Sequence, residues 1–122
     1  MATSTDEQLR EQVAGQTVAT EFLRTVADNG SRRALRWMEG EEWKELTFDE
    51  LADRVARVAG GLADLGVGHG DRVVLMMRNI PEFHVADLAA LYCGATPVSI
   101  YNSSSPDQVA YLAGHCEAKL AI

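Results

Sequence analysis

Positive charge is scarce in this sequence of 122 residues. Lys and Arg number 11 against 18 Asp and Glu, which gives a formal net charge of -7. Nucleic-acid binding depends on clustered Lys and Arg that neutralise phosphates, so this balance argues against a nucleic-acid partner. The one basic cluster, Arg32, Arg33 and Arg36, is followed at once by several glutamates. We interpret it as the solvated face of a hairpin.

Thiols and histidines are also few and widely spaced. Cys93 and Cys116 are too few for a disulfide framework and do not form a C-x-x-C pair, so we expect two free thiols. His69, His84 and His115 lack the H-x-x-x-H spacing that places two metal ligands on one helical face. His115 lies where a helix is expected to end, and an imidazolium is favoured there by the helix dipole. The sequence therefore predicts no metal site.

Leader segments and long apolar runs are missing. The first residues, MATSTDEQLREQVAGQ, lack the basic and apolar segments of a secretory signal. No run of about 20 apolar residues offers a membrane span. These absences predict a cytoplasmic location.

Motifs that would carry catalysis are not found. The sequence has neither a G-x-S-x-G nucleophile turn nor a GxxxxGK[ST] phosphate loop. Gly66, Gly68 and Gly70 follow a helical pattern and precede a strand pattern, whereas a dinucleotide-binding loop follows a strand and opens a helix. We interpret these glycines as a connector, and we assign no catalytic or cofactor-binding residue.

What is present is the composition of a folded domain, with 47% hydrophobic and 24% charged residues. Residues 1–16 are polar and without sustained periodicity, which predicts a flexible tail. Thr17 is a plausible N-cap for a first helix, and one domain is expected over 17–122. A hairpin is predicted next, with strands RALRWM and WKELTF joined by a turn at EGEE.

The clearest helix pattern is LTFDELADRVARVAGGLADLG. Thr47 and Glu50 match the S/T-x-x-E capping box that marks a helix start. Gly60 and Gly61 inside this helix suggest close packing against another backbone, although simple tolerance of glycine is the alternative. Apolar residues at helical spacing predict one buried stripe, made of Leu51, Val55, Val58, Leu62 and Leu65.

From Arg72 onward, strand and helix patterns alternate: RVVLMM, NIPEFHVADLAALYCG, ATPVSI, SSPDQVAYLAGHCEA and KLAI. Pro81 opens the first of these helices and Gly94 is expected to close it. The predicted fold class is α/β: an N-terminal helix and a β-hairpin followed by a βαβαβ parallel-sheet unit. The apolar edge at KLAI leads us to expect an incomplete part of a larger domain that self-associates.

Candidate binding residues follow from this topology, because ligands of open parallel sheets bind beyond the carboxyl ends of the strands. The alternative is local: Asn79 and Ser105 cap helices, while Ser103 and Ser104 satisfy nearby backbone donors. Both interpretations stay open. The substrate-pocket candidates are Arg78, Asn79, Tyr101, Asn102, Ser103 and Ser104.

Three segments carry a family resemblance. LTFDEL resembles the first core motif of the AMP-forming adenylating enzymes, and YCGATPVSIYNSSSP resembles their second. GVGHGDRVVLMMRNIPEF between them is similar to the linker, strand and Asn-x-Pro-Glu helix start of the same enzymes. The resemblance covers roughly Thr17 to Ile122. Within the superfamily, IYNSSSP looks most like the long-chain acyl-CoA synthetases.

The resemblance implies a two-step reaction. ATP, with Mg²⁺, activates a fatty acid as an acyl adenylate, and coenzyme A then displaces AMP. Contact with a membrane would come only through the lipid substrate. The phosphate loop, the aromatic-x-Thr-Glu segment, the ribose-binding aspartate and the lid lysine of that family do not occur in this sequence.

We therefore expect the N-terminal portion of a long-chain fatty acid-CoA ligase. This chain alone is expected to be inactive and to bind neither ATP, Mg²⁺ nor coenzyme A. The alternative is a self-contained α/β binding or interaction module without catalytic activity. A reading frame that continues into a Ser/Thr/Gly-rich loop would favour the ligase.

Overall fold

The computed structural model describes residues 4–122. Helices and strands alternate through these residues in an α/β arrangement, and no helix among them is both long enough and apolar enough to cross a membrane. Their order is α1 (Asp6–Val13), α2 (Val18–Asn29), β1 (Arg33–Glu39), β2 (Glu42–Thr47), α3 (Phe48–Asp64), β3 (Arg72–Leu75), α4 (Pro81–Tyr92), β4 (Thr96–Ser99), α5 (Pro106–His115) and β5 (Leu120–Ala121).

Helix α1 corrects the prediction of a tail without regular structure before Thr17. The side chain of Thr5 accepts a hydrogen bond from the backbone N–H of Gln8, and the Gln8 side chain accepts one from the N–H of Thr5. This reciprocal capping box supports the helix locally, although no residue of α1 is buried. Part of the tail prediction falls on residues 1–3, which lie outside the described residues, and the flexibility of the segment stays a prediction.

The hairpin is confirmed. Strands β1 and β2 pair antiparallel around a turn in which Gly40 has a φ of +62°. The Arg33 guanidinium lies 2.6 Å from a Glu45 carboxylate oxygen, and the Arg36 guanidinium stacks 4.2 Å above the centre of the Trp43 ring. These side chains are exposed, so the basic cluster is a solvated hairpin face, as predicted.

The βαβαβ unit is also confirmed. Strand β3 lies in the middle of a sheet of order β4-β3-β5 and is parallel to both neighbours. Val73, Val74 and Leu75 of β3 are almost completely buried. Helices α3 and α4 pack against each other and supply most of the core around this strand.

Helix α3 begins at the predicted capping box, in which the Thr47 hydroxyl accepts from the N–H of Glu50 at 3.2 Å. Its predicted apolar stripe is only partly buried. Leu51, Val55 and Leu62 are buried, whereas Val58 is 37% exposed and Leu65 is 66% exposed.

The geometry of the helix explains this correction. At about 100° per residue, Val55 and Leu62 lie on one side of Leu51, and Val58 and Leu65 lie on the other. Only the first side is buried in the core, whereas Val58 on the second side lines an open groove, so the buried arc is narrower than the apolar stripe. The predicted close approach at Gly60 and Gly61 is wrong as well, because a Cβ at either position would meet no atom within 4 Å.

Helix α4 ends in the glycine-dependent way that the sequence predicted. The N–H of Gly94 donates to the carbonyl of Leu91, and the N–H of Ala95 donates to that of Ala90, both at 3.0 Å. This pattern is a Schellman motif, which requires the positive φ of +71° at Gly94. A Cβ there would lie 3.1 Å from Nδ1 and 3.3 Å from Cα of His69.

Arg72 joins the start of β3 to the end of α5. Its Nε donates to the carbonyl of Cys116 at 2.6 Å, and its guanidinium also contacts the carbonyl of Gly70 and the carboxylate of Glu117. Glu117 has a positive φ of 52°, in a position that usually belongs to glycine. The carbonyl of Arg72 accepts from the N–H of Lys119. These bonds hold the segment before β5 beside β3.

We predict that Gly94→Ala destabilises the fold more than Gly40→Ala does. Both residues need positive φ, which costs an alanine about 1–2 kcal/mol. A Cβ at Gly40 enters open space, whereas one at Gly94 is pressed against the backbone of His69. Urea unfolding of the two variants measures the difference. Equal losses in the free energy of unfolding would contradict the proposed steric contact.

Candidate functional site

The carboxyl ends of the parallel strands meet at one edge of the sheet. The N–H of Ile100, after β4, donates to the carbonyl of Leu75 at the end of β3. The N–H of Met76, after β3, donates to the carbonyl of Ile122, after β5. The segments that follow the three strands therefore emerge side by side, which is where open parallel sheets bind ligands.

Three depressions lie around this edge. The α3–α4 groove, of about 720 Å³, includes Met77 and Ile122. The hairpin cavity, of about 180 Å³, includes Asn79 and lies between β1 and the start of α4. The α5 groove, of about 420 Å³, includes Tyr101 and Ser104. The candidate residues are thus divided between separate depressions.

The hairpin cavity is where Asn79 lies, beside Leu35, Trp37 and His84. The prediction that Asn79 caps α4 is wrong. The N-cap is Ile80, and this helix start has no side-chain cap. Asn79 precedes the cap by one residue, so its amide lies one position too early to occupy the N-cap. Arg78 is exposed and lines none of the three depressions.

The α5 groove is formed by the turn after β4 and the outer side of α5. Tyr101 is 84% exposed and Tyr111 is 67% exposed. The N–H of Ser104 donates to the carbonyl of Tyr101 at 3.0 Å and closes the turn. Asn102 and Ser103 are exposed at its tip.

Among the serines of this segment, only Ser105 caps α5. Its hydroxyl accepts from the N–H of Gln108 at 3.3 Å, and the Gln108 side chain accepts from the N–H of Ser105 at 2.9 Å. Within the described part of the chain, the hydroxyls of Ser103 and Ser104 accept no bond from a backbone donor. The prediction for these two serines is therefore wrong, and their pocket role stays a prediction.

The α3–α4 groove was not foreseen from the sequence. Its charged residues are Arg54 and Arg57 of α3 and Glu82 of α4. The available signal was Val58, an apolar residue of the predicted stripe that stays exposed in the structure. A sequence pattern states that a residue is apolar, but it does not state which neighbour covers it.

The titratable groups with shifted pKa values lie on or just after α4. Burial raises the pKa of the Tyr92 phenol and that of the Cys93 thiol. Burial also raises the pKa of Asp87, and the nearby His84 partly offsets this by lowering it. The Cys93 thiol donates to the carbonyl of Ala59 at 3.4 Å. A thiol with a raised pKa is a poor nucleophile, so these shifts do not indicate a catalytic centre.

Two of the three histidines, His84 and His115, pack against aromatic rings. His84 makes an edge contact with Phe83, and His115, in the last turn of α5, stacks on Tyr111 with the ring centres 5.5 Å apart. In the residues that the structure describes, no group of three or more His, Cys, Asp or Glu comes together that could hold a metal ion.

A family model described as AMP-binding enzyme matches residues 22–122. The chain belongs to this family. The match confirms the resemblance of the LTFDEL and YCGATPVSIYNSSSP segments to the adenylating enzymes. It covers most of α2 and every later element of the structure.

Curated relatives of this AMP-binding family chain include three kinds of protein. An uncharacterized protein of Mycobacterium tuberculosis is 39% identical over 106 residues, which are 87% of this chain and 59% of that protein. An acetyl-coenzyme A synthetase of Pseudoalteromonas atlantica is 38% identical over 81% of this chain and 16% of its own length. A long-chain-fatty-acid-CoA ligase of Gallus gallus is 28% identical over 96% of this chain and 15% of its own length.

Solved structures with the same fold are also adenylate-forming enzymes. A fatty acid AMP ligase from Legionella pneumophila superposes with a TM-score of 0.80 over 92% of this chain and 20% of that chain, at 19% identity. A benzoate CoA ligase from Burkholderia xenovorans gives 0.74 over 84% of this chain and 20% of that chain, at 28% identity. The chain thus spans between about a seventh and three fifths of the length of its curated relatives.

We predict that Ser105→Ala and Asn79→Ala differ in their effect on stability. Loss of the Ser105 cap removes the bond to Gln108 and should cost about 1 kcal/mol. Asn79 caps nothing, so its replacement should stay within about 0.5 kcal/mol. Thermal unfolding of both variants compares them directly. An equal loss for Asn79→Ala would contradict the assignment of the α4 cap to Ile80.

We also predict that Asp87→Asn stabilises the fold at neutral pH. The pKa of Asp87 is raised in the folded chain, so the folded state favours the protonated acid. The stabilisation that comes from protonation of Asp87 in the folded state is fully present below the ordinary pKa of 3.8. It is lost as pH rises through the pKa of Asp87 in the folded chain. The stabilisation by Asp87→Asn should therefore grow from pH 3 to pH 7. Urea unfolding across this range measures it, with Glu41→Gln in the exposed hairpin turn as the control.

Proposed function

We propose that residues 17–122 are the N-terminal part of an ATP-dependent, AMP-forming fatty acid-CoA ligase and supply its frame. The family match over 22–122 is the observation that carries this proposal. The 38% identity to an acetyl-coenzyme A synthetase over 81% of the chain supports it further. The reactive groups are proposed to belong to polypeptide beyond residue 122.

The proposed reaction has two steps. A carboxylate oxygen attacks the α-phosphorus of ATP, and pyrophosphate leaves with the bridging oxygen. The thiol of coenzyme A then attacks the acyl carbonyl, loses its proton and releases AMP. Mg²⁺ supplies charge neutralisation for the triphosphate when it is bound. We propose that this chain contributes the carboxyl edge of its sheet and, in Arg78, Asn79 and the segment 101–104, part of a pocket wall.

The proposed substrate is a long-chain fatty acid. The IYNSSSP segment resembles the long-chain acyl-CoA synthetases, and the long-chain ligase of Gallus gallus aligns over 96% of this chain. The acetyl-coenzyme A synthetase aligns over less of it, although at higher identity. We further propose a cytoplasmic enzyme that contacts membranes only through its lipid substrate.

The first experiment measures pyrophosphate release by the chain of 122 residues with ATP, Mg²⁺ and palmitate or acetate. We expect no release above background, because the described residues bring together no nucleophile, base and oxyanion site. The acetyl-coenzyme A synthetase of Pseudoalteromonas atlantica serves as the positive control. A Leu75→Asp variant, in which the core strand is disrupted, serves as the negative control. If the wild-type chain releases pyrophosphate in the presence of a carboxylate and this variant does not, the proposal that the reactive groups lie beyond residue 122 is wrong.

A second candidate function is a self-contained binding or interaction module. The Mycobacterium tuberculosis relative favours it, because this chain covers 59% of that protein, against 16% of the synthetase. Sequencing the gene beyond codon 122 separates the two. Continuation into a Ser/Thr/Gly-rich loop supports the ligase, and a stop codon supports the module. If the frame continues, the longer product should activate palmitate in preference to acetate, and the reverse order would contradict the proposed substrate.

A further inference from the structure

We draw no further inference here: the strongest candidate, the groove of about 500 Å³ lined by Val13 of α1, Phe22 of α2 and Leu88 of α4, is an apolar face, and nothing in the structure shows what covers it.

Discussion

The burial of β3 is the constraint on which the rest of the structure depends. Val73, Val74 and Leu75 are almost without solvent exposure, which requires neighbouring strands at both edges and packed side chains on both faces. On the side of α4, Ala89 and Ala90 are completely buried, and such small side chains allow the helix to approach closely. Helices α4 and α5 connect the strands of this sheet, because parallel strands can be joined only by long crossover connections.

The carboxyl edge of the sheet is open, and the candidate residues along it lie in separate depressions. Its three depressions contain different candidate residues, and the groups with raised pKa values lie on or just after α4, outside those depressions. The chain belongs to the AMP-binding enzyme family and corresponds to 16% of the length of the acetyl-coenzyme A synthetase that it resembles.

The sequence by itself determined the features that depend on residues within about four positions of each other. The capping boxes at Thr47 and Ser105 and the glycine end of α4 were predictable, because hydrogen bonds between near neighbours specify them. The βαβαβ unit was predictable because local strand and helix patterns alternate along the chain. The family resemblance followed from the same local segments. Helix α1 was missed, although Thr5 and Gln8 form the same kind of box, because no apolar period accompanied it.

Tertiary structure decided which apolar residues are covered and which polar residues share a depression. Val58 and Val55 are chemically alike, but only Val55 lies on the side of α3 that is buried in the core. Asn79 and Tyr101 both follow strands of one sheet, but the hairpin and α5 separate them into different cavities. Burial and proximity of this kind depend on elements that are distant along the chain, and a local pattern carries no information about where those elements pack.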